Sequence, residues 1–190
     1  MPTVAIYDDA TLVINAGNYF INPTVGSLKP TDLLDPEGDV ATPGWTNVGH
    51  TSLEDILAVA SEGGEATVIG TLQNKSLRTK YSARTESLAF TLQQFDVDSL
   101  KLYYGSNATV SAGGDVEVPV DPTPTVAAFL AVFVDGANVF AFYAPKAEIF
   151  RGDDLALSDT ESLAGLPLSI KPMISGANTY AYSVTPLAAV

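Results

Sequence analysis

Few residues in this chain could do chemistry. It has one histidine, His50, and no cysteine. Nucleophilic catalysis of the Ser-His-Asp or Cys-His kind needs a base, and His50 would have to serve alone. A lone histidine after a glycine is ordinarily a turn or packing residue. Structural zinc needs several His or Cys ligands, which are not present. The paired carboxylates Asp8-Asp9, Glu54-Asp55 and Asp153-Asp154 could bind calcium or act as acid and base. None has Asp-x-Asp-x-Asp-Gly ligand spacing, and adjacent acids on a loop are ordinarily solvated. Gly63-Gly64 and Gly113-Gly114 lack the strand-loop-helix setting and the lysine of a phosphate loop. The residue types thus predict no catalytic, metal or cofactor-binding site, and a protein that is not an enzyme.

Charge restricts the partners. Asp and Glu total 22 and Lys and Arg total 9, for a net charge of −13 over 190 residues. Binding nucleic acid by phosphate neutralisation needs a cationic face, and an anionic membrane repels an acidic protein. An acidic surface suits simple solubility, or a channel through which nucleic acid must pass without sticking. A hydrophobic content of 46% excludes wholesale disorder and allows one domain with a real core, or a domain with long arms. Without cysteine no disulfide framework can form. The N-terminus breaks its short apolar run at Asp8-Asp9 and has no basic region, so it does not read as a secretory signal.

The elements that must position these residues are mostly strands. Val126 to Arg151 is the most apolar stretch and reads as a central β-hairpin turning at Asp135-Gly136, with Phe140 and Phe142 on one face and Val139, Ala141 and Tyr143 on the other. Apolar on both faces, it needs cover on both sides. Pro145 is expected to stop its ladder. Residues 3–7 and 11–16 read as short strands, and Thr67–Leu72 as another. Thr85–Phe95 alternates as a half-buried strand with Leu88, Phe90 and Leu92 inward. Residues 96–104 form the best helix candidate, N-capped by Asp96, with Val97, Leu100 and Tyr104 at helical spacing and Gly105 past its end. Ser52 with Asp55 could cap a short helical turn through Leu57. Residues 152–162 read as an acidic loop. Leu163–Ile174 reads as a proline-broken edge strand and Thr179–Thr185 as the last strand. The fold class is mainly β: an antiparallel sandwich or barrel with one short flanking helix.

Two segments fit no compact monomer. Residues 22–44, with Pro23, Pro30, Pro36 and Pro43, read as an extended loop or arm with little to bury. Residues 65–84 read as a basic hairpin arm holding Lys75, Arg78, Lys80 and Arg84. Residues 1–64 carry one lysine against nine acids, so a neighbouring copy could offer that arm an acidic docking surface. A self-assembling structural protein accounts for arms, strand edges and missing chemistry together.

From about Trp45 to Leu168 the chain resembles the major tail proteins, or tail tube subunits, of long-tailed siphophages, particularly those infecting actinobacteria. The resemblance is carried by the run Trp45 to Ser52, Glu62-Gly63-Gly64-Glu65, Leu77-Arg78-Thr79, Gln94-Phe95-Asp96 and Leu102-Tyr103-Tyr104-Gly105. It continues in Val132 to Gly136, Phe142 to Lys146 and Leu166-Pro167-Leu168. It implies hexameric rings stacked into a helical tube with an electronegative lumen, through which genomic DNA leaves without specific binding. It further implies tail terminator and tail-tip partners at the ends, no membrane, no cofactor, and a place in the virion after assembly in the host cytoplasm. The loop around Lys75 to Arg84 matches the arm that reaches an adjacent subunit or ring, which makes Lys75, Arg78, Lys80 and Arg84 inter-subunit contacts; a solvated hairpin is the alternative. Some members carry an extra immunoglobulin-like domain, and none is expected in a single tube domain spanning 1–190. Two other readings compete: a secreted or virion-surface β-sandwich that binds a receptor, glycan or protein, and an acidic hydrolase using paired carboxylates.

Overall fold

The structure is a computed structural model and describes residues 11–155, 157, 163–176 and 178–189. The strands are β1 (Ala16–Asn22), β2 (Thr46–Asn47), β3 (Ala58–Gly63), β4 (Ala66–Ile69), β5 (Arg78–Tyr81) and β6 (Arg84–Leu92). Helix α1 (Val97–Tyr104) follows, then the short pair β7 (Thr109–Val110) and β8 (Val116–Glu117). The chain continues through β9 (Thr125–Asp135), β10 (Asn138–Arg151), β11 (Leu166–Pro172) and β12 (Ser183–Ala189).

β9 and β10 form the central hairpin, and its loop is Gly136-Ala137, one residue later than the sequence suggests. Asp135 stays in the ladder opposite Asn138. Only Gly136 has positive φ, 60°, as a type II′ turn asks of its first central residue. The Asp135 carboxylate instead accepts hydrogen bonds from the Val13 backbone N–H (2.9 Å) and Asn15 Nδ2 (3.2 Å). Nor does Pro145 end the strand. Ala144 pairs with Phe129 and Ala147 with Ala127, so Pro145 and Lys146 together oppose Ala128 in a bulge. The extra residue resets the alternation. Phe140, Phe142 and Ala144 face the same core as Ala147 and Ile149, whereas an unbroken register would have turned Lys146 and Glu148 into it.

The main sheet runs β2-β1-β9-β10-β11-β6-β3, with β12 pairing the first half of β10 and β11 its second half. β1 and β6 are four strand steps apart, about 19 Å in a flat sheet. Yet Tyr19 of β1 stacks on Phe90 of β6 with ring centroids 4.3 Å apart. The sheet therefore rolls over itself into a partly closed antiparallel barrel around Tyr19, Phe90, Phe129 and Phe133. Residues 48–52 lace its two sides together: Val48 N–H donates to Tyr19 O, and Ser52 N–H to Thr91 O at 2.8 Å. The Tyr19 hydroxyl donates to Ile56 O, and burial pushes its pKa up.

Helix α1 has the expected ends. Asp96 accepts from Ser99 N–H at 2.8 Å, and Gly105 (φ 110°) donates to Lys101 O. Its buried residues are Ser99, Leu102 and Tyr103, so the inward face is rotated from the expected Val97, Leu100 and Tyr104. Other strands are displaced from their sequence positions. Residues 11–14 lie outside any strand and β1 begins at Ala16; β12 begins at Ser183; β3 was not expected. Residues 3–7 and part of 152–162 lie outside the described residues. Ser52 Oγ accepts from the N–H groups of Glu54 and Asp55 as a cap would, but no helix follows. β11 is interior rather than an edge strand. Its prolines are tolerated because the pairing is staggered: β6 pairs Leu166–Ile170 and β10 pairs Leu168–Pro172, so Pro167 and Pro172 each have one neighbouring strand.

The second face of the hairpin carries its own core: Phe20, Trp45, Leu130, Val132, Val139 and Tyr143. Its cover is residues 23–45, which the sequence presents as an arm. Pro30 and Pro36 are fully buried there. The Tyr143 hydroxyl donates to Ser27 O, Trp45 Nε1 to Leu28 O at 3.3 Å, and Gly26 N–H to Pro145 O at 2.7 Å.

Candidate functional site

The hairpin of β4 and β5 forms a two-stranded sheet of its own, and every residue in both strands is exposed. The cause lies at its root. Gly63 and Gly64 both have positive φ, 82° and 73°, so the chain bends sharply where it leaves β3. A Cβ on Gly63 would lie 2.2 Å from Ala83 O. The tip is held locally: Thr71 N–H donates to Asn74 O at 2.7 Å, and Asn74 N–H to Thr71 Oγ1.

Register divides the hairpin into two faces. Thr67 opposes Lys80 and Ile69 opposes Arg78, which makes one face basic. Ala66 opposes Tyr81 and Val68 opposes Thr79, and on this face Val68 is 53% and Tyr81 68% exposed. Lys75 lies in the tip loop beside Leu72, which is 90% exposed. Lys75, Arg78 and Lys80 thus belong to one projecting element. Arg84 does not: it opens β6 beyond the bend, opposite Gly63. Among the described residues the one ion pair is Arg151 with Asp154, so none of the four is paired with a carboxylate there. Val68 and Tyr81 are not singled out by the sequence analysis; Tyr81, set between Lys80 and Ser82, is the local signal for this face.

The other sequence candidates stay apart. His50 is exposed, its N–H donating to Gln94 Oε1 and its carbonyl accepting from Gln93 N–H. Glu54-Asp55 and Asp153-Asp154 are exposed, and Asp8-Asp9 lie outside the described residues. Among the described residues no group of three His, Cys, Asp or Glu could hold a metal ion, and no helix is long and apolar enough to cross a membrane. Among the described residues the one with the most converging donors is Asp39, inside the cover segment. Its carboxylate accepts from Thr42 Oγ1 (2.6 Å), Thr31 N–H and Oγ1, and the N–H groups of Asp32 and Ala41. These bonds, that of Thr42 first, hold its pKa well below the usual carboxylate range.

The architecture is a rolled antiparallel sheet with one flanking helix, a buried core and a projecting hairpin. The family comparison names it: residues 4–185 match the phage tail tube protein family, and the chain belongs to that family. It is 37% identical over 171 residues to the major tail protein Gp23 of Mycobacterium phage L5, covering 85% of this chain and 83% of the relative. Its identity to the major tail protein Gp23 of Mycobacterium phage D29 is 36% over the same length. The chain is thus a structural phage tail protein, a component of the virion.

Proposed function

We propose that residues 1–190 act as one tube domain whose copies form hexameric rings, stacked into a hollow helical tube that conducts DNA during ejection. Assembly takes place in the host cytoplasm, and terminator and tail-tip proteins bound the tube. Membership of the tail tube family carries this reading. The net charge of −13 supports an electronegative lumen that repels DNA and keeps it moving. The exposed β4–β5 hairpin supports contact between copies through Lys75, Arg78 and Lys80, with Arg84 at its root.

The test is negative-stain electron microscopy of the purified protein across concentration and salt, with light scattering alongside. Rings or hollow tubes are expected, and salt should weaken any part of assembly that rests on exposed charge pairs. A monomer at every concentration, with a tail-tip complex added, would overturn the reading.

A further inference from the structure

We propose that the β4–β5 hairpin of one copy seats in an acidic groove at the far end of the β3–β6 ribbon of a second copy. The inference rests on the reading that copies of this chain associate, and it identifies the surface that receives the arm.

The groove has a volume of about 430 Å³, with Ile56, Leu57 and Phe90 among its lining and Glu54, Asp55 and Asp153 beside them. A second depression of about 520 Å³ adjoins it, sharing those three acids and adding Asp154, Leu53 and Leu163. Among the described residues no lysine or arginine lines either one. Asp154 is paired with Arg151, whereas Glu54 and Asp55 have no cationic partner among the described residues. The groove is therefore apolar and uncompensated in negative charge. The arm has the complementary character, with Lys75, Arg78 and Lys80 beside exposed Leu72 and Leu77.

Topology makes the match intermolecular. In the β3–β6 ribbon Gly63 opposes Arg84 at the arm end, and Ala58 opposes Ala89 at the groove end. The five residue steps between them span about 17 Å. The arm leaves from one end and the groove opens at the other, no residue of the hairpin is among those lining the groove, and both hairpin strands are exposed along their length. Two different surfaces at opposite ends of one ribbon make a head-to-tail contact, which either closes into a ring or propagates as a stack.

The experiment uses two full-length variants. One reverses the arm (Lys75→Glu, Arg78→Glu, Lys80→Glu) and the other reverses the groove (Glu54→Lys, Asp55→Lys). Assembly is read by sedimentation and negative stain, and folding by far-UV circular dichroism. Alone, each variant sets like charges together and should raise the concentration needed for assembly about tenfold or more. Mixed in equal amounts they should assemble close to wild type, because every reversed arm then finds a reversed groove. A mixture no better than either variant alone, with wild type assembling, would overturn the pairing and leave the tube reading standing. Wild type that never assembles would overturn both. If a reversed variant loses its β signal, the neutral variants (Lys75→Gln, Arg78→Gln, Lys80→Gln and Glu54→Gln, Asp55→Gln) replace them. Reduced salt dependence of assembly is then expected, and unchanged salt dependence overturns the pairing.

Discussion

Residues 23–45 and the β4–β5 hairpin are both long polar excursions from one sheet, and they end in opposite states. The first returns Pro30, Pro36 and Trp45 to the body and is gathered around the Asp39 carboxylate. The second returns nothing, and its hydrogen bonds are its own. The difference is in what lies beneath. β9 and β10 are apolar on both faces, so a cover over the second face removes apolar area from water and offsets the entropy of ordering a long loop. Nothing comparable lies under the arm, which leaves its apolar and basic groups available to another molecule.

If the comparison holds, the largest loss of stability should follow Trp45→Ala. Truncating this buried ring beside Tyr143 should cost about 3–5 kcal/mol, read as a fall in the urea unfolding free energy. A loss near zero would mean that the cover is not part of the cooperative fold.

A smaller loss is expected for Asp39→Asn, whose amide cannot accept from all five donors. The native pKa lies below the ordinary 3.8, so the carboxylate's contribution is fully present above that value and fades as pH falls beneath it. Urea midpoints measured from neutral pH down to about 2 should fall more steeply for wild type than for the variant below the ordinary carboxylate pKa. Parallel curves would remove Asp39 from the account.

Next comes Gly63→Val, at the bend where the arm departs. Positive φ and the close Ala83 carbonyl should together cost about 1–3 kcal/mol. The same urea series measures it, and an unchanged midpoint would show that the bend relaxes freely.

The smallest effect on folding belongs to the arm itself. Tyr81→Ala should change stability by less than about 0.5 kcal/mol, although it removes a large ring. A loss as large as that of Trp45→Ala would show that the hairpin is packed and not projecting.

Much of this was legible in advance. Leu88, Phe90 and Leu92 alternate because β6 has one wet face and one dry face, and a period of two records that directly. Asp96 and Gly105 mark the ends of α1 because capping is a local interaction. Lys75, Arg78 and Lys80 stand out because they cluster in an acidic chain. The separation of Arg84 from them was not legible, since it depends on where β5 ends and β6 begins on either side of a glycine bend. The acidic groove was not legible either: Glu54 and Asp153 are distant in sequence and meet only through the pairing of β6 with β11.

The sequence by itself determined the β class, the single short helix and the two-faced central hairpin, because each follows from residue identity and short-range period. Tertiary structure alone decided that one polar excursion is a cover and the other an arm. It also decided that β3 is a strand at all, since Ala58–Gly63 is exposed along its length and is held extended by pairing with β6. Backbone pairing between distant segments leaves little mark on composition, and the rolling of the sheet, which brings Tyr19 onto Phe90, leaves none.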